Sequence, residues 1–426
     1  MSRPTHTEPR RGGRPLALAL TCAALAGLVV AGCGSSGNNS TTSSGGSSTG
    51  ASTAGGGAST TASNGVTPAQ LQATVDQAMQ AHIPISSVPP LMQDALSLAT
   101  PTPSAADMDK AFTCFQQTTC TLGSGKITLG YADGFGDNTW RRFSKMSAIL
   151  QAMRYPDIGK IIFTNAHGQL ATFQSDIRNL TAQGARAIVT YDDFGPSAYP
   201  AYTAAQRSGA VVSSFVSPLD GAPTSAVTTR VQPDICTAGR TMASVTRQAV
   251  GSVGVAYFTG TPGNPQDTAW QRCATTAGTN AIFKADTNWT PAGAQTAASA
   301  LIASGKPARA ILYSYSNPVP NIVKAFNSAN KPVPAIITWT QDNGTSCIWR
   351  RSPFTLYQTN ALNWAARVSV TATMTRLDGK SVPDAVIYPF PFVRAKASDC
   401  DPSRPADYPG TSALVPTALV TKILGG

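Results

Sequence analysis

The sequence has few charged side chains and almost no histidine. Only 12% of its 426 residues are Asp, Glu, Lys or Arg, and the three histidines are His6, His82 and His167. The formal charge is +11, but no run of Lys or Arg is long enough to indicate a nucleic-acid surface. A hydrolase with a nucleophile needs a base within reach, and the sequence shows none. We interpret His167 as a solvated loop residue.

Motifs for nucleotide binding and for serine catalysis are also lacking. A G-x-G-x-x-G pattern begins at Gly134 but fails at Thr139, and the second strand ends in Thr164-Asn165, where a dinucleotide site needs an acid. The one G-x-S-x-G pattern, at 46–50, lies in a Ser/Gly tract that cannot hold an oxyanion hole. We therefore predict no catalytic residue and no cofactor.

The N-terminal segment has the layout of an export signal. Four arginines precede the uncharged apolar segment 15–32, as in a basic n-region followed by an h-region. The letters "VAGC" at its end resemble the lipobox of bacterial lipoproteins, in which the cysteine is diacylated and becomes the new N-terminus. We predict a signal peptide at 1–32 and a lipid anchor at Cys33 on the outer face of the cell membrane. A single transmembrane helix is the alternative, because 18 residues is the lower limit for spanning a bilayer.

Two segments separate this anchor from the main body. The predicted lipidated cysteine and flexible linker span 33–65, because residues 34–65 contain only Gly, Ser, Thr, Asn and Ala. Residues 66–125 predict a small helical appendage. Its first helix has Thr67 and Gln70 placed as a capping box, and a second helix begins at Ser104.

Six of the eight cysteines lie beyond the linker, and none forms a C-x-x-C pair. They are Cys114, Cys120, Cys236, Cys273, Cys347 and Cys400. An even number in an exported chain favours disulfides, although six cysteines allow fifteen pairings. Nearness along the chain favours pairing each with its sequence neighbour: Cys114 with Cys120, Cys236 with Cys273, and Cys347 with Cys400. Zinc is the alternative, but the scattered histidines argue against it, and we predict no metal.

From residue 126 onward, short apolar runs alternate with helical segments. "ITLGYA" is followed by "NTWRRFSKMSAILQAM", and "KIIFT" by "LATFQSDIRNLTAQG". Strands too apolar to have a wet face are typical of parallel sheets covered by helices on both sides. The pattern breaks at "SPLDGAPTS" and then resumes. We therefore predict an α/β fold with two doubly wound parallel-sheet lobes.

Ligands of open parallel sheets bind beyond the carboxyl ends of the strands. Aromatic rings gather at these ends, namely those of Trp140, Phe215, Trp289, Tyr315 and Trp339. Rings stack on apolar faces of small molecules, while Asn138, Asp267 and Gln358 are candidates for hydrogen bonds to hydroxyls. The alternative for any single ring is a place in the core. We interpret Asp192-Asp193, after the third strand, as turn-forming.

The order of elements over residues 126–395 resembles the type I periplasmic solute-binding proteins of the ribose-binding kind, which feed ABC importers. The resemblance is carried by "ITLGYADGFGDNTWRRF", "FQSDIRNLTAQGARAIVTY", "GVAYFTGTPGNP" and "LDGKSVPDAVIYPFPFV". It implies two lobes joined by a three-crossing hinge. A solute would be held between the lobes, and the importer's membrane subunits would read their closure.

The resemblance also implies segment boundaries. The expected segments are lobe 1 at 126–218 with 343–380, lobe 2 at 219–342 with 381–398, and a C-terminal tail at 399–426. The expected crossings lie near Phe215 to Asp220, near Thr340 to Gly344, and near Gly379 to Val386.

Carried over residue by residue, the resemblance implies roles for four side chains. Asn138 would be the polar contact of the first turn, Trp140 and Trp289 the stacking rings, and Gln358 a late amide contact.

The sequence departs from the sugar-binding pattern at several positions. Phe215-Val216 stands where sugar binders usually have an Asp-Arg pair, Thr268 replaces an Arg, and Thr340 replaces an Asp. Without those charge-assisted bonds, a simple pentose is not expected to bind in the usual way. Arg141 either substitutes for them from the first helix or is a solvated helix residue.

The expected function is that of a lipid-anchored extracytoplasmic protein that captures a small polar solute, a sugar or sugar-like compound, and delivers it to an ABC permease. A sensor of the same fold, docking on a membrane receptor or kinase, is the alternative. We expect a monomer that is not an enzyme and binds no nucleic acid.

Overall fold

The computed structural model describes residues 65–136, 138–217 and 221–425. The predicted signal peptide, the lipidation site Cys33 and the linker up to residue 64 lie outside these residues. Within them, no helix combines the length and the apolar character needed to cross a membrane.

The described chain folds into alternating strands and helices. The strands are β1 Thr119–Thr121, β2 Ile127–Asp133, β3 Ile158–Asn165, β4 Ala185–Tyr191, β5 Val211–Phe215, β6 Thr229–Pro233, β7 Gly254–Thr259, β8 Asn280–Asp286, β9 Ala310–Tyr313, β10 Ala335–Thr338, β11 Leu356–Gln358, β12 Ala385–Tyr388 and β13 Val393–Arg394. The helices are α1 Pro68–Met79, α2 Pro90–Ala99, α3 Ala105–Phe115, α4 Thr139–Ala152, α5 Leu170–Ala182, α6 Tyr199–Arg207, α7 Ile235–Val250, α8 Pro265–Thr276, α9 Pro291–Ala303, α10 Val319–Ser328, α11 Asn343–Arg351, α12 Ala365–Leu377 and α13 Thr417–Gly425.

The strands form two sheets, one in each lobe. The first has the order β1-β3-β2-β4-β5-β6-β12 and the second the order β13-β11-β10-β9-β7-β8. All pairs are parallel except those of the edge strands β1 and β13, which run antiparallel to their neighbours. The predicted pair of doubly wound lobes is confirmed, because strands buried on both faces need helices on both sides.

Helix α5 shows how the sequence produces these elements. Phe173, Ile177 and Leu180 recur at helical spacing and are buried under one face of the first sheet. The helix stops before Gly184, which has a φ of 80°.

The helical appendage has three helices rather than two. The capping box at Thr67 and the helix start at Ser104 are found as predicted, at the beginnings of α1 and α3, and Ser104 also forms a capping box with Asp107. Helix α2 was missed because "VPP" precedes it. Pro90 occupies the first position of α2. A backbone N–H at this position would have no partner within the helix, so proline is tolerated there. Helix α2 packs on α4 and α12 of the first lobe, so the appendage extends that lobe's core.

The lobe boundaries differ from those that the resemblance implied. Strand β6 lies in the first sheet beside β5, although 219–342 was assigned to lobe 2. Strand β11 pairs with β10 in the second sheet, although 343–380 was assigned to lobe 1. Strand β12 pairs with β6 in the first sheet, although 381–398 was assigned to lobe 2. The reason is that backbone pairing decides membership, and apolar strands of the two sheets look alike in sequence.

The three hinge crossings shift accordingly. They lie at residue 234 between β6 and α7, at 359–364 between β11 and α12, and at 389–392 between β12 and β13. The expected crossings near 215–220, 340–344 and 379–386 are therefore wrong. Residues 218–220 themselves lie outside the described part of the chain.

The C-terminal segment, residues 395–425, crosses between the lobes once more. Its first part is held on the second lobe, where Asn343 Nδ2 donates to the carbonyls of Asp401 and Arg404, both at 2.9 Å. Its last part is α13, which packs on α3 and α4 with Leu419 and Ile423 buried. The predicted tail is thus a structural strap across both lobes.

The structure contains the three disulfides that nearness along the chain favoured. They join Cys114 to Cys120, Cys236 to Cys273, and Cys347 to Cys400. The third ties α11 of the second lobe to the start of the C-terminal segment. Among the described residues, no group of three or more His, Cys, Asp or Glu could hold a metal ion.

Candidate functional site

A pocket lies between the carboxyl ends of the two sheets. Its empty volume, open solvent included, is about 400 Å³. Its lining comes from both lobes and from the hinge: Asn138, Trp140, Arg141, Tyr191, Val216, Gln266, Trp289, Ser314, Tyr315, Trp339, Thr340 and Leu362. We call this the interlobe pocket.

Six of the nine predicted binding residues line the interlobe pocket. They are Asn138, Trp140, Arg141, Trp289, Tyr315 and Trp339. Asn138 also caps α4, because its Oδ1 accepts from the backbone N–H of Arg141 at 3.0 Å. This hydrogen bond leaves the two N–H donors of its amide unused by the cap.

The other three predicted residues do not line the pocket. Phe215 is fully buried and stacks behind Trp140, with ring centroids 6.3 Å apart. Asp267 accepts from the indole N–H of Trp270 and the backbone N–H of Gly260, both at 2.7 Å. Gln358 is fully buried on β11, with Ser346 Oγ 3.5 Å from its amide nitrogen. All three support the fold beneath the pocket, because their side chains point into the core.

Six further lining residues were not predicted to bind the ligand, namely Tyr191, Val216, Gln266, Ser314, Thr340 and Leu362. Val216 and Thr340 had been identified only as departures from the sugar-binding pattern. Gln266 carried a usable signal. It is the second residue of α8, and Trp140 is the second residue of α4, so they occupy equivalent places in the two lobes. Leu362 carried none, since its position depends on the hinge crossing.

Four lining residues adopt the left-handed backbone conformation. Val216, Trp289, Thr340 and Leu362 have φ values of 61°, 52°, 59° and 61°, among nine such non-glycine residues in the described chain. For β-branched Val and Thr this conformation is costly. Strain of this kind concentrates at functional sites, where the fold over-determines the backbone.

The pocket rings have their polar atoms occupied by protein. Trp140 Nε1 donates to the carbonyl of Ala361 at 2.7 Å, and Trp289 Nε1 to Ser314 Oγ at 3.0 Å. Trp339 Nε1 donates to Met242 Sδ at 3.2 Å. The indoles therefore offer a ligand their carbon faces and edges.

Gly260 makes the position of Trp289 possible. A Cβ atom on this residue would lie 1.9 Å from Cε2 of the indole. The backbone at the end of β7 can therefore lie this close to the indole only because residue 260 is a glycine.

Arg141 is buried in the first-lobe wall of the pocket. Its Nη1 donates to Asp133 at 2.9 Å, and its Nη2 donates to both carboxylate oxygens of Asp193 at 2.9 and 3.0 Å. Its guanidinium lies 3.5 Å from the ring centroid of Tyr191. Burial by itself lowers the pKa of Arg141, but the charges of Asp133 and Asp193 raise it by more. The net pKa lies above the usual value for arginine, so the guanidinium stays protonated. The alternative of a solvated helix residue is wrong, since only 3% of Arg141 is exposed.

The acidic pair after β4 has two separate roles. Asp192 forms the predicted turn, because its Oδ1 accepts from the backbone N–H groups of Phe194 and Gly195 at 2.6 and 2.9 Å. Asp193 instead pairs with Arg141. Gly134 permits this, since a Cβ there would lie 2.6 Å from Asp193 Oδ2.

We expect Asp192 to make stability fall as pH rises. Burial raises its pKa to about 7, from the value near 3.9 expected in the unfolded chain. The folded state therefore holds the proton to higher pH, and the free energy of unfolding falls between pH 4 and pH 7. In Asp192→Asn this contribution disappears. Thermal unfolding across that range should show a steeper loss in the native protein than in the variant, and parallel profiles would contradict the assignment.

The two lobes are in contact across the pocket. Tyr191 OH of the first lobe donates to Gln266 Oε1 of the second at 3.2 Å. Asp407 of the C-terminal segment accepts from Asn317 at 2.6 Å and from Thr139 at 3.4 Å, one on each lobe. The structure therefore represents a closed arrangement.

The chain matches the family described as periplasmic binding protein domain over residues 133–347, half of its length. A comparison with curated protein sequences gave no match.

Several solved structures share the architecture. An ABC transporter solute-binding protein from Bacillus halodurans with bound myo-inositol is 14% identical, with a TM-score of 0.56 over 64% of this chain and 96% of that one. A glucose-galactose binding protein from Geobacillus stearothermophilus is 14% identical, with a TM-score of 0.56 over 63% and 97%. A Mycobacterium smegmatis protein in complex with β-D-fucofuranose is 18% identical, with a TM-score of 0.53 over 64% and 92%. The type I fold is confirmed, and the chain belongs to the periplasmic binding protein domain family.

Proposed function

We propose that the protein captures a small polar solute, a sugar or sugar-like compound, in the interlobe pocket and delivers it to an ABC permease. The observation that carries the proposal is the pocket itself, where rings from both lobes converge beside Arg141 and the amides of Asn138 and Gln266. Flat rings take the C–H faces of a sugar, and the polar groups take its hydroxyls. Solute-binding proteins of the same fold hold myo-inositol and β-D-fucofuranose.

The pocket favours a ligand with an apolar face over a fully hydroxylated sugar. The nearby carboxylates Asp133, Asp193 and Asp267 are already engaged by protein donors. The described lining residues include no carboxylate, so hydroxyl recognition rests on amides, hydroxyls and the guanidinium edge. A deoxy, methylated or cyclic polyol solute fits this chemistry.

The proposal includes the predicted location. The protein would act outside the membrane, held there by lipidated Cys33 as a monomer. Binding alone is proposed, without catalysis, since the described lining residues contain no histidine, lysine or cysteine to act on a bound solute.

Thermal unfolding against a panel of deoxysugars, polyols and hexoses tests the proposal. A solute at about one hundred times its dissociation constant should add roughly 2.7 kcal/mol to the free energy of unfolding. Trp289→Ala should abolish this stabilisation by the solute. Trp140→Phe keeps an apolar ring, so it should reduce the stabilisation without abolishing it.

Trp349→Ala is the matched control. This tryptophan lies on α11 away from the pocket, and its Nε1 donates to the carbonyl of Phe354. The variant should keep the full ligand response. Equal shifts in Trp289→Ala and the native protein, or no response to any solute, would refute capture in this pocket.

A further inference from the structure

A second cavity is lined by the first lobe, the appendage and the C-terminal segment, and is partly open to solvent. Its empty volume is about 790 Å³. It is lined by α1, α2, α4, α12 and the strap: Thr74, Gln77, Ala99, Thr100, Thr102, Pro103, Leu150, Arg154, Arg367, Tyr408, Thr411, Leu414, Val415, Pro416 and Thr417. We call this the strap cavity.

Arg367 of α12 is a buried cation in its wall. Only 3% of the residue is exposed. Its Nη1 donates to Gln151 Oε1 at 3.2 Å, and its Nη2 to the carbonyl of Leu414 at 2.9 Å. Both acceptors are neutral. Its Nε is buried and has no hydrogen-bond partner among the described residues.

A second cation, Arg154, lines the same cavity. Its Nη2 donates to the carbonyl of Pro101 at 2.5 Å, again a neutral acceptor. Burial, and to a smaller extent the charge of Arg154, lower the pKa of Arg367 to about 9. Two arginines of like charge thus line one cavity.

No acidic residue belongs to the described lining of the strap cavity. A buried charge without a counter-charge is strongly unfavourable, and buried charges in proteins are usually paired. The hydroxyls of Thr74 and Thr100 are already used within the protein, since they donate to the carbonyls of Gln70 at 3.1 Å and Leu96 at 2.9 Å. The anion donors of the cavity are therefore the two arginines, including the unused Nε–H of Arg367.

We propose that the strap cavity binds a small oxoanion, a phosphate or carboxylate group, between Arg154 and Arg367. The anion supplies the missing counter-charge and joins the appendage, the first lobe and the C-terminal segment. This site is independent of the interlobe pocket and of the solute bound there.

The test is a phosphate titration of thermal unfolding, with sodium chloride replaced at constant ionic strength and no pocket solute present. The native protein should show a saturable rise in Tm. Arg154→Gln, at a half-buried residue, should weaken the apparent affinity about tenfold or more because it removes a charge-assisted partner. Arg178→Gln, at an exposed residue of α5, should leave the response unchanged.

Arg367→Met supplies a second readout. The variant should show no phosphate response. Its Tm in chloride should fall less than that of a variant that loses an ion-paired arginine, because the removed charge is buried and lacks a counter-charge. A water-soluble short-chain phosphatidic acid distinguishes the source of the oxoanion. Stabilisation by this lipid and by phosphate supports a free anion, and stabilisation by the lipid alone supports a lipid headgroup. No saturable response to either phosphate or the lipid, or equal responses in the native protein and Arg154→Gln, would overturn the proposal.

Discussion

Arg141→Met is expected to lower the free energy of unfolding by about 3–5 kcal/mol, the cost of removing one partner from a buried ion pair. The side chain joins two carboxylates, and its loss leaves Asp133 and Asp193 facing each other without a cation. Methionine preserves most of the volume, so the lost charge dominates the effect. Urea denaturation monitored by tryptophan fluorescence measures the change.

Two further variants show that the carboxylates cause this loss. The double variant Arg141→Met with Asp193→Asn should be less destabilised than the sum of the single changes, because fewer charges are left unpaired. Arg178→Met, at an exposed helix position, should change stability by at most about 0.5 kcal/mol. A loss below about 1 kcal/mol in Arg141→Met would show that the buried ion pair contributes little to the fold.

Removing the disulfide between Cys347 and Cys400 should have the second large effect. The bond closes a loop with a sequence separation of 53 residues. In the chain-entropy description, such a loop contributes roughly 4 kcal/mol. Replacing both cysteines by alanine should lower the free energy of unfolding by about 2–4 kcal/mol and release the start of the C-terminal segment from α11. Calorimetry measures the first effect, and amide hydrogen exchange over 401–416 measures the second.

The disulfide between Cys114 and Cys120 is the natural control. Its sequence separation is only 6 residues, for which the same description gives roughly 2 kcal/mol. Its removal should leave hydrogen exchange at 401–416 unchanged. Equal exchange of that segment in both double-alanine variants would contradict a role of the longer disulfide in holding the strap.

The architecture was predictable because it depends on local patterns. Apolar runs that alternate with amphipathic segments specify buried parallel strands and covering helices, whatever the partners of each strand. The capping box at Thr67 and the helix start at Ser104 could be predicted for the same reason, since the residues that form each cap lie within four positions of one another. Sheet membership of β6, β11 and β12 was not readable, because it is decided by backbone bonds to strands far away in sequence.

The site was predictable only in part. Residues whose position depends on local pattern were predicted, and residues whose position depends on distant contacts were not. Trp140 and Trp289 lie just beyond strand ends, so topology alone brings them to the pocket. Phe215 occupies a strand end too, but its side chain points the other way, and one residue of register reverses the face. The burial of Arg141 could not be predicted from the sequence, because its partners Asp133 and Asp193 lie 8 and 52 residues away from it.

The C-terminal segment also delays the completion of the first lobe during folding. Gln77 near the start of the described chain donates to the carbonyl of Thr411, a separation of 334 residues, and α13 packs on α3 and α4. Contacts so distant in sequence form late and slow folding. The first lobe therefore stays incomplete until α13 has been synthesised, and deletion of α13 would remove Leu419, Val420 and Ile423 from the core.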